Sequence, residues 1–186
     1  MEQKNTARFS LFPTSIGDCG IAWRGELVIA TQLPEKSSAA AAARLAKRAG
    51  ASKGDPPPVI QQVIDSITAL LEGERTDLSD INCDFSRIET FEEKVYIATR
   101  AITTGETLTY GAIALQLGDK HFAQNVGRAL GRNPFPIIVP CHRVIGANDK
   151  LVGFSAHGGV ETKRRMLAIE GALKGETLGL FDDLPI

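Results

Sequence analysis

The feature that most constrains the fold is the run 133–145, with the sequence Asn-Pro-Phe-Pro-Ile-Ile-Val-Pro-Cys-His-Arg-Val-Ile. Pro134, Pro136 and Pro140 each lack a backbone N–H and fix φ, which excludes a helix interior and the middle of a sheet. Most of the other residues before the cysteine are apolar, so we expect the segment to be largely buried. The run therefore predicts a stiff segment that holds Cys141 in one fixed place.

Cys141 is followed directly by His142 and Arg143, an arrangement that has two interpretations. A thiol becomes nucleophilic when it is deprotonated, and nearby basic or cationic groups promote that deprotonation. A cysteine that only packs in a core needs neither neighbour. The sequence favours a reactive thiol, although residue chemistry alone leaves a packed structural cysteine open.

The residues before this run predict three helices, of which the last two form a helix-turn-helix. Segment 90–93, Thr-Phe-Glu-Glu, fits a capping box at the start of the first helix. A second helix over 109–117 ends at Gly118, and Asp119 caps a third whose inward residues are Phe122, Val126, Ala129 and Leu130. The outward face of the third helix carries Lys120, Gln124, Asn125 and Arg128. Such helix pairs also occur in proteins that do not touch DNA, so the pattern leaves DNA binding open.

The first half of the chain predicts a small supporting unit of strands and helices. Apolar runs at 20–23 and 27–33 flank a glycine-bearing turn and predict a β-hairpin. An alanine-rich stretch at 39–49 and apolar positions at helical spacing over 59–71 predict two helices. We expect residues 1–10 to be loose, and no residue of this half indicates chemistry.

Together these elements predict an α+β protein. We expect a small N-terminal strand-plus-helix domain, 1–88, followed by a mainly helical C-terminal domain, 89–186, that contains the helix-turn-helix. The chain has 186 residues, of which 43% are hydrophobic and 23% charged, enough for two small cores. Residues 178–186 are expected to form a tail.

Charge is distributed unevenly along the chain. The net charge of −1 gives no indication of a nucleic-acid partner. Residues 119–165, however, hold eight Lys and Arg against three Asp and Glu, a local charge of +5. A basic face of this kind can meet phosphates, and it is equally compatible with an ordinary solvated surface.

The cysteine and histidine content argues against a metal site and against an oxidising compartment. Cys19, Cys83 and Cys141 make an odd count without a close pair, and no Cys or His residues have zinc-finger spacing. No signal-peptide pattern or membrane-spanning run is visible, which favours a cytoplasmic protein without a membrane partner. We expect a monomer that uses no cofactor and no metal.

The proline-rich run also carries a resemblance. Its segment 140–144, Pro-Cys-His-Arg-Val, preceded by Asn-Pro and an apolar stretch, resembles the active-site signature of the methylated-DNA–protein-cysteine methyltransferases, the self-inactivating O6-alkylguanine-DNA alkyltransferases. The resemblance extends from about Phe91 to Ala172. It implies DNA repair in which the alkyl group of O6-alkylguanine in double-stranded DNA moves irreversibly to Cys141. It also implies that the helix-turn-helix docks in the minor groove and that the damaged base is flipped out.

The resemblance implies roles for individual residues. Cys141 matches the alkyl acceptor, His142 the base that acts through water, and Glu170 the acid behind that base. Asn133 matches the asparagine that orders the turn before the active-site run. Tyr110 matches the tyrosine that crowds the target phosphate and protonates the departing base. The loop that lines the guanine pocket matches Val152, Gly153, Phe154 and Ser155. We assign DNA contacts to Tyr110, Gln124, Asn125, Arg128 and Arg132.

Residue chemistry supports part of this assignment. Cys141, His142 and Glu170 are the nucleophile, base and orienting acid that covalent catalysis requires. Neighbouring side chains of an extended chain point to opposite sides, so we expect a water molecule to bridge Cys141 and His142. Without the resemblance, Glu170 would be interpreted as an acid on a helix surface.

The sequence departs from the family pattern at two places. The family usually has an arginine in the recognition helix where this chain has Gln124, and we predict weaker DNA affinity than in arginine-bearing relatives. The spacing of the pocket loop before Gly158 also differs from several relatives, which weakens the transfer of a role to Ser155. Two other functions stay open. A lesion-binding or regulatory protein with little transfer activity is disfavoured by the presence of Cys141, and a thiol hydrolase is disfavoured by the helix-turn-helix.

Overall fold

The computed structural model describes residues 6–173. The strands are β1 (Arg8–Phe12), β2 (Cys19–Arg24), β3 (Leu27–Gln32), β4 (Ser52–Lys53), β5 (Leu108–Thr109) and β6 (Val144–Ile145). The helices are α1 (Ser38–Ala49), α2 (Pro58–Leu71), α3 (Thr90–Arg100), α4 (Tyr110–Gln116), α5 (Ala123–Gly131) and α6 (Val160–Ile169). The predicted α+β class is confirmed, and the expected tail, 178–186, lies outside the described residues.

The first half is built on a four-stranded sheet with the order β3-β2-β1-β4. Strands β2 and β3 pair antiparallel across the turn at Gly25, so the predicted hairpin is confirmed. The expectation that residues 1–10 are loose is wrong from Arg8 onward, because that segment pairs antiparallel with β2 along its whole length. Phe9 and Phe12 are buried and give this strand apolar contacts that a loose segment would lack.

The two faces of the sheet pack against different partners because side chains alternate along a strand. Ala22 and Ala30 face α1, where they cluster with Leu45. Helix α1 agrees with the predicted stretch 39–49 to within one residue: the Ser37 hydroxyl accepts a hydrogen bond from the backbone N–H of Ala40, and Gly50 ends the helix at φ 59°. The opposite face of the sheet packs against α2 and the second half of the chain.

One hydrophobic core joins the two halves. It contains Ile21 and Trp23 of the sheet, Ile67 of α2, and Phe135 and Val139 of the proline-rich segment. The boundary between 88 and 89 stays a prediction, but the two halves are not independent in their packing. Any change that loosens the sheet would therefore reach the active-site segment.

Strand β3 also bonds directly to the proline-rich segment. The backbone N–H of Thr31 donates to the carbonyl oxygen of Pro134 at 2.9 Å, and its hydroxyl donates to that of Pro136 at 2.7 Å. Prolines leave carbonyl acceptors without a matching donor, and Thr31 supplies both donors. The first half thus fixes the position of the proline-rich segment along strand β3.

The second half contains the predicted helices with two differences at their starts. Helix α3 has Glu89 as its N-cap without a side-chain hydrogen bond, so the capping box at Thr90 is wrong. A 3₁₀ turn at Lys120–Phe122 precedes α5, and Asp119 caps that turn. Phe122 is 38% exposed rather than inward, and its ring meets Phe91 edge to face. The inward positions Val126, Ala129 and Leu130 are confirmed as buried.

Candidate active site

The proline-rich segment is buried from Ile137 to Ile145, as its composition predicted, but it is bent rather than extended. The backbone N–H of Val139 donates to the carbonyl oxygen of Phe135 at 2.7 Å. Between them Ile137 has φ 79°, a region that β-branched residues rarely adopt, so the bend stores backbone strain. Cys141–Arg143 then form a 3₁₀ turn. Our premise of an extended chain at Cys141 and His142 was therefore wrong.

Asn133 holds this bend closed from inside. Its side-chain N–H donates to the carbonyl oxygen of Val139 at 2.9 Å, and its side-chain oxygen accepts from the backbone N–H of Phe135 at 2.9 Å. The amide also hydrogen-bonds the thiol of Cys141. Asn133 thus ties the end of α5 to the segment that delivers the sulfur.

Cys141 lies at the edge of a cavity of about 720 Å³. The residue as a whole is 8% exposed, and it is one of those that line this cavity. The volume is within the range of about 300–1,000 Å³ that is usual for sites that enclose a small organic molecule. The other lining residues come from α4, α5 and the loop after β6: Tyr110, Ala123, Gln124, Gly127, Arg128, Leu130, Gly131, Val152, Gly153, Phe154 and Ser155.

The surroundings of Cys141 push the acidity of its thiol in both directions. Burial raises the pKa of the thiol, while the hydrogen bond from Asn133 and the positive charge of Lys163 lower it. Burial dominates, so the resting thiol is protonated at neutral pH and needs a base. The nearby cation and donor are the groups that would stabilise a thiolate once it forms.

His142, Glu170 and Arg143 form a closed network behind the cysteine. Glu170 Oε1 lies 2.8 Å from His142 Nε2 and 3.0 Å from Arg143 Nη2, and Glu170 Oε2 accepts from Arg143 Nε at 2.8 Å. All three residues are buried. Burial alone would raise the pKa of Glu170, but His142 and Arg143 together lower it to about 2. Glu170 is therefore an interior carboxylate rather than a surface acid.

The network also sets the tautomer of His142. Burial lowers the pKa of the imidazole more than Glu170 raises it, so the ring is neutral at rest. Because Glu170 is ionised and can only accept, Nε2 carries the proton and donates to it. His142 Nδ1 is buried and has no hydrogen-bond partner within residues 6–173. The lone pair of Nδ1 is therefore available to accept a proton or a hydrogen bond from a water molecule.

Lys163 is a buried cation that the sequence analysis missed. Its Nζ donates to the carbonyl oxygens of Val144 at 2.5 Å and Val152 at 3.2 Å. It lies 5.7 Å from the ring centre of Tyr110 and 5.9 Å from that of Phe154. Burial lowers the pKa of Lys163 to about 8, against the opposing effect of Cys141. The lysine thus connects the active-site segment with the pocket loop.

Tyr110 lies on the cavity wall at the start of α4. Its ring packs beside Gly127 of α5, where a Cβ would stand 3.7 Å from the ring. Its hydroxyl is 3.5 Å from the carbonyl oxygen of Gly153, a weak contact that leaves the group available to a ligand. Burial, followed by the charge of Cys141, raises the pKa of Tyr110, so the phenol keeps its proton at neutral pH.

The expected DNA-contacting residues divide into three groups. Gln124 and Arg128 are exposed and line the cavity, while Asn125 is exposed on α5 but does not line it. Arg132 is exposed and lies 3.1 Å from the carboxylate of Glu92. The basic face expected over 119–165 is smaller than its composition indicated. Two of its cations, Arg143 and Lys163, are buried.

Comparison with known proteins identifies the fold and the family. A family model described as the 6-O-methylguanine DNA methyltransferase DNA-binding domain matches residues 90–172. A methylated-DNA–protein-cysteine methyltransferase of Mycobacterium tuberculosis is 41% identical over 126 residues, which cover 68% of this chain and 74% of that protein. The chain belongs to this methyltransferase family.

Further relatives of the methyltransferase family agree in sequence and in structure. A member from Methanothermobacter thermautotrophicus is 36% identical over 122 residues, 65% of this chain and 67% of that protein. The crystal structure of Mycobacterium tuberculosis OGT in complex with DNA superposes with a TM-score of 0.73 at 34% identity. That comparison covers 89% of this chain and 93% of the other.

Within this methyltransferase, helical spacing could have indicated that Lys163 and Glu170 are buried. Lys163, Met166, Leu167 and Glu170 occupy one face of α6 at the i, i+3, i+4 and i+7 positions. Met166 and Leu167 are buried, so the two charged residues on the same face are buried with them. The sequence could have placed both charges in the interior. It could not show by spacing that Lys163 would bond to the carbonyl oxygens of Val144 and Val152, or Glu170 to His142.

The described part of the chain contains neither a membrane span nor a metal-binding cluster. No helix in residues 6–173 is long and apolar enough to cross a membrane. Within the same range, no cluster of three or more His, Cys, Asp or Glu side chains could hold a metal ion.

Proposed function

We propose that this methyltransferase repairs duplex DNA by moving the alkyl group of O6-alkylguanine irreversibly to the sulfur of Cys141. The observation that carries the proposal is the position of that sulfur. Cys141 lines one cavity together with Tyr110, with Arg128 of α5 and with the loop 152–155. A packed structural cysteine would not open onto a cavity of about 720 Å³. Every residue assigned here belongs to one chain, so a monomer suffices.

The proposed DNA interface is α5 with the start of α4. Gln124, Asn125 and Arg128 are exposed on α5, and a Cβ at Gly131 would meet nothing within 4 Å, which leaves room for a close approach. An alkyl group on a stacked guanine cannot reach a recessed sulfur, so the nucleotide must leave the duplex and enter the cavity. Minor-groove docking suits a recognition helix with small residues on its outer face.

The proposed reaction begins with loss of the thiol proton. A water molecule carries that proton from Cys141 to His142 Nδ1, whose lone pair has no partner within the described residues. The imidazolium that forms is stabilised by Glu170, which accepts its Nε2–H at 2.8 Å. The positive charge of Lys163 stabilises the thiolate.

The thiolate then displaces guanine at the alkyl carbon. A bond forms between sulfur and carbon, the bond between carbon and O6 breaks, and the electron pair of that bond remains with the base. The Tyr110 hydroxyl donates a proton to the departing guanine, and proton exchange with solvent returns Tyr110 and His142 to their resting states. The thioether on Cys141 is stable, so each molecule acts once and needs no cofactor.

Arg143 supports this chemistry as a positioning residue. It donates two hydrogen bonds to Glu170 and anchors itself to the carbonyl oxygen of Ile102 at 2.6 Å and the hydroxyl of Thr104 at 3.1 Å. These contacts keep Glu170 ionised and aimed at His142, which fixes the tautomer that leaves Nδ1 unprotonated.

The deciding experiment is intact mass spectrometry after incubation with a duplex that contains one O6-methylguanine. We expect one added methyl group per molecule in the wild-type protein and none in Cys141→Ala. Cys83→Ala, which removes a thiol outside the site, serves as the matched control and should still gain the methyl group. Tight binding of the methylated duplex without any mass increase would instead establish a lesion-binding protein and refute the transfer proposal.

A further inference from the structure

A second cavity of about 290 Å³ continues from the first toward the N-terminal half. The two cavities share Cys141 and four of its neighbours: Leu130, Gly131, Phe154 and Ser155. The second cavity reaches the end of β3 and the outer side of α1, where it is lined by Gln32, Leu33, Glu35, Arg44 and Arg48. Arg132, at the end of α5, lines it as well. This joins the recognition helix to a helix of the other half across the mouth of the site.

The lining of this second cavity carries more positive than negative charge. Its three guanidinium groups belong to Arg44, Arg48 and Arg132, whereas Glu35 is the only carboxylate in the lining. Arg44 Nη1 lies 2.7 Å from Glu35 Oε1. Arg48 donates to the carbonyl oxygen of Thr31 and has no carboxylate partner within residues 6–173. The lining therefore keeps one positive charge in excess even after Glu35 and Glu92 are counted.

Arg44 and Arg48 are four residues apart on α1, so their side chains lie on the same side of the helix. Burial lowers the pKa of Arg48, and the like charge of Arg44 lowers it further. An anion placed between the two guanidinium groups would relieve that repulsion. Guanidinium groups match the geometry of phosphate oxygens better than ammonium groups do.

Arg48 is also fixed in relation to the reacting sulfur. Its guanidinium holds the carbonyl of Thr31, and the N–H and hydroxyl of Thr31 hold the carbonyls of Pro134 and Pro136. A phosphate bound by Arg48 would thus be held at a constant distance from Cys141. Loose surface arginines could not provide such a fixed reference.

We propose that the surface formed by Arg44 and Arg48 of α1, together with Arg132, binds the phosphodiester backbone of the substrate DNA. This inference rests on the proposed function, because the partner is the duplex whose base enters the adjoining cavity. The DNA-binding surface then extends beyond the helix-turn-helix, and the N-terminal half takes part in recognition rather than only in support.

The test measures binding of an undamaged duplex as a function of salt, so it does not depend on alkyl transfer. Each lost phosphate contact should reduce the slope of log K against log salt by about 0.9, measured between about 50 and 200 mM. We expect Arg44→Gln to lower the slope by about that amount, and Arg44→Gln/Arg48→Gln by about twice as much. Affinity at 0.1 M salt should fall about three- to tenfold per arginine.

Two matched variants sharpen the result. Glu35→Gln removes the carboxylate beside Arg44, and we expect it to bind DNA more tightly than the wild-type protein. Lys53→Gln removes one positive charge from β4, at the sheet edge opposite β3, and should leave the slope unchanged. Thermal melting confirms that each variant is folded. Arg44 bonds only to Glu35 among the described residues, so Arg44→Gln remains interpretable if the double variant unfolds.

Three results would overturn the inference. One is an unchanged slope in Arg44→Gln. Another is an equal loss in Arg44→Gln and Lys53→Gln, which would indicate only diffuse attraction by net charge. The third is weaker binding by Glu35→Gln. Absence of methyl transfer in the mass experiment, with these salt slopes as expected, would refute the proposed reaction and leave the DNA surface in place.

Discussion

Two buried cysteines, Cys19 on β2 and Cys141 after the proline-rich segment, differ in everything except their low exposure. Cys19 is 0% exposed and Cys141 8%, so accessibility barely separates them. Burial, the largest cause, raises the pKa of Cys19 to about 12, with one weak hydroxyl contact from Thr14 in opposition. Cys141 has a cavity on one side, and Asn133 and Lys163 supply a hydrogen bond and a positive charge.

The difference teaches that polar groups, not exposure, distinguish a reactive thiol from a packed one. Cys19 lies in the hydrophobic core, and only the weak Thr14 contact is there to stabilise a thiolate. Cys141 is instead followed in the chain by His142 and Arg143, which form a buried hydrogen-bonded network with Glu170. Five predictions test this contrast and the site around Cys141.

The largest effect should come from replacing each of the two cysteines in turn. We expect Cys141→Ala to abolish methyl transfer while changing the free energy of unfolding little, because its side chain already borders a cavity. Cys19→Ala should retain transfer and lose about 1 kcal/mol of stability, since it leaves a void in a packed core. Intact mass and urea unfolding measure the two quantities. Transfer that persists in Cys141→Ala would end the contrast.

The next largest effect should follow from removing the charge behind His142. Glu170→Gln keeps the shape of the side chain but can no longer fix the tautomer or stabilise the imidazolium, so single-turnover transfer should slow by about 10²-fold. Cys141 alkylation by a small electrophile of high intrinsic reactivity should change less. An unaltered transfer rate would show that the network is structural only.

The same substitution predicts a pH signature in stability. The pKa of Glu170 is about 2 in the folded protein against an ordinary value of 4.5. A depressed pKa stabilises the fold fully above the unfolded value, and that stability is lost as the pH falls through the folded value. The advantage of the wild-type protein over Glu170→Gln, on the order of 3 kcal/mol at neutral pH, should therefore shrink between about pH 4.5 and 2. A constant difference across that window would contradict the assigned charge state.

A smaller effect is expected from the two tyrosines, which form a second matched pair. Tyr110→Phe keeps the ring beside Gly127 but removes the proton donor, so transfer should slow by about tenfold or more. Tyr96→Phe loses a buried hydrogen bond to the carbonyl oxygen of Ala129 and should cost about 1 kcal/mol of stability without slowing transfer. Equal transfer rates in both variants would remove Tyr110 from the mechanism.

The smallest effect concerns the recognition helix. Gln124 lines the cavity without a charge, and Gln124→Arg should tighten duplex binding about threefold to tenfold and steepen the salt slope by about 0.9. Fluorescence anisotropy at several salt concentrations measures both. Equal affinity of the two proteins would contradict the prediction.

The sequence predicted the helices and the hairpin because their periodicity and end residues are local signals, as at Ser37 and Gly50 of α1. It misplaced Phe122 because that residue belongs to a 3₁₀ turn, whose three residues per turn do not continue the periodicity of α5. It counted Lys163 and Arg143 as surface charges because composition cannot reveal which charges find buried partners. The juxtaposition of Glu170 with His142 required knowledge of the family, since their spacing in sequence has no local meaning.

The bond from Thr31 to the proline-rich segment has a consequence for how variants of this protein should be surveyed. Genetic screens that sample only the catalytic half would overlook Thr31. Its hydroxyl lies more than a hundred positions upstream of Pro136 and donates a hydrogen bond to the segment that positions Cys141. Thr31→Val keeps the side-chain volume but removes the hydrogen bond to Pro136. We expect it to loosen the proline-rich segment although no residue of the active-site signature is changed. Mutagenesis libraries should therefore cover both halves of the chain, and fusion proteins should contain both.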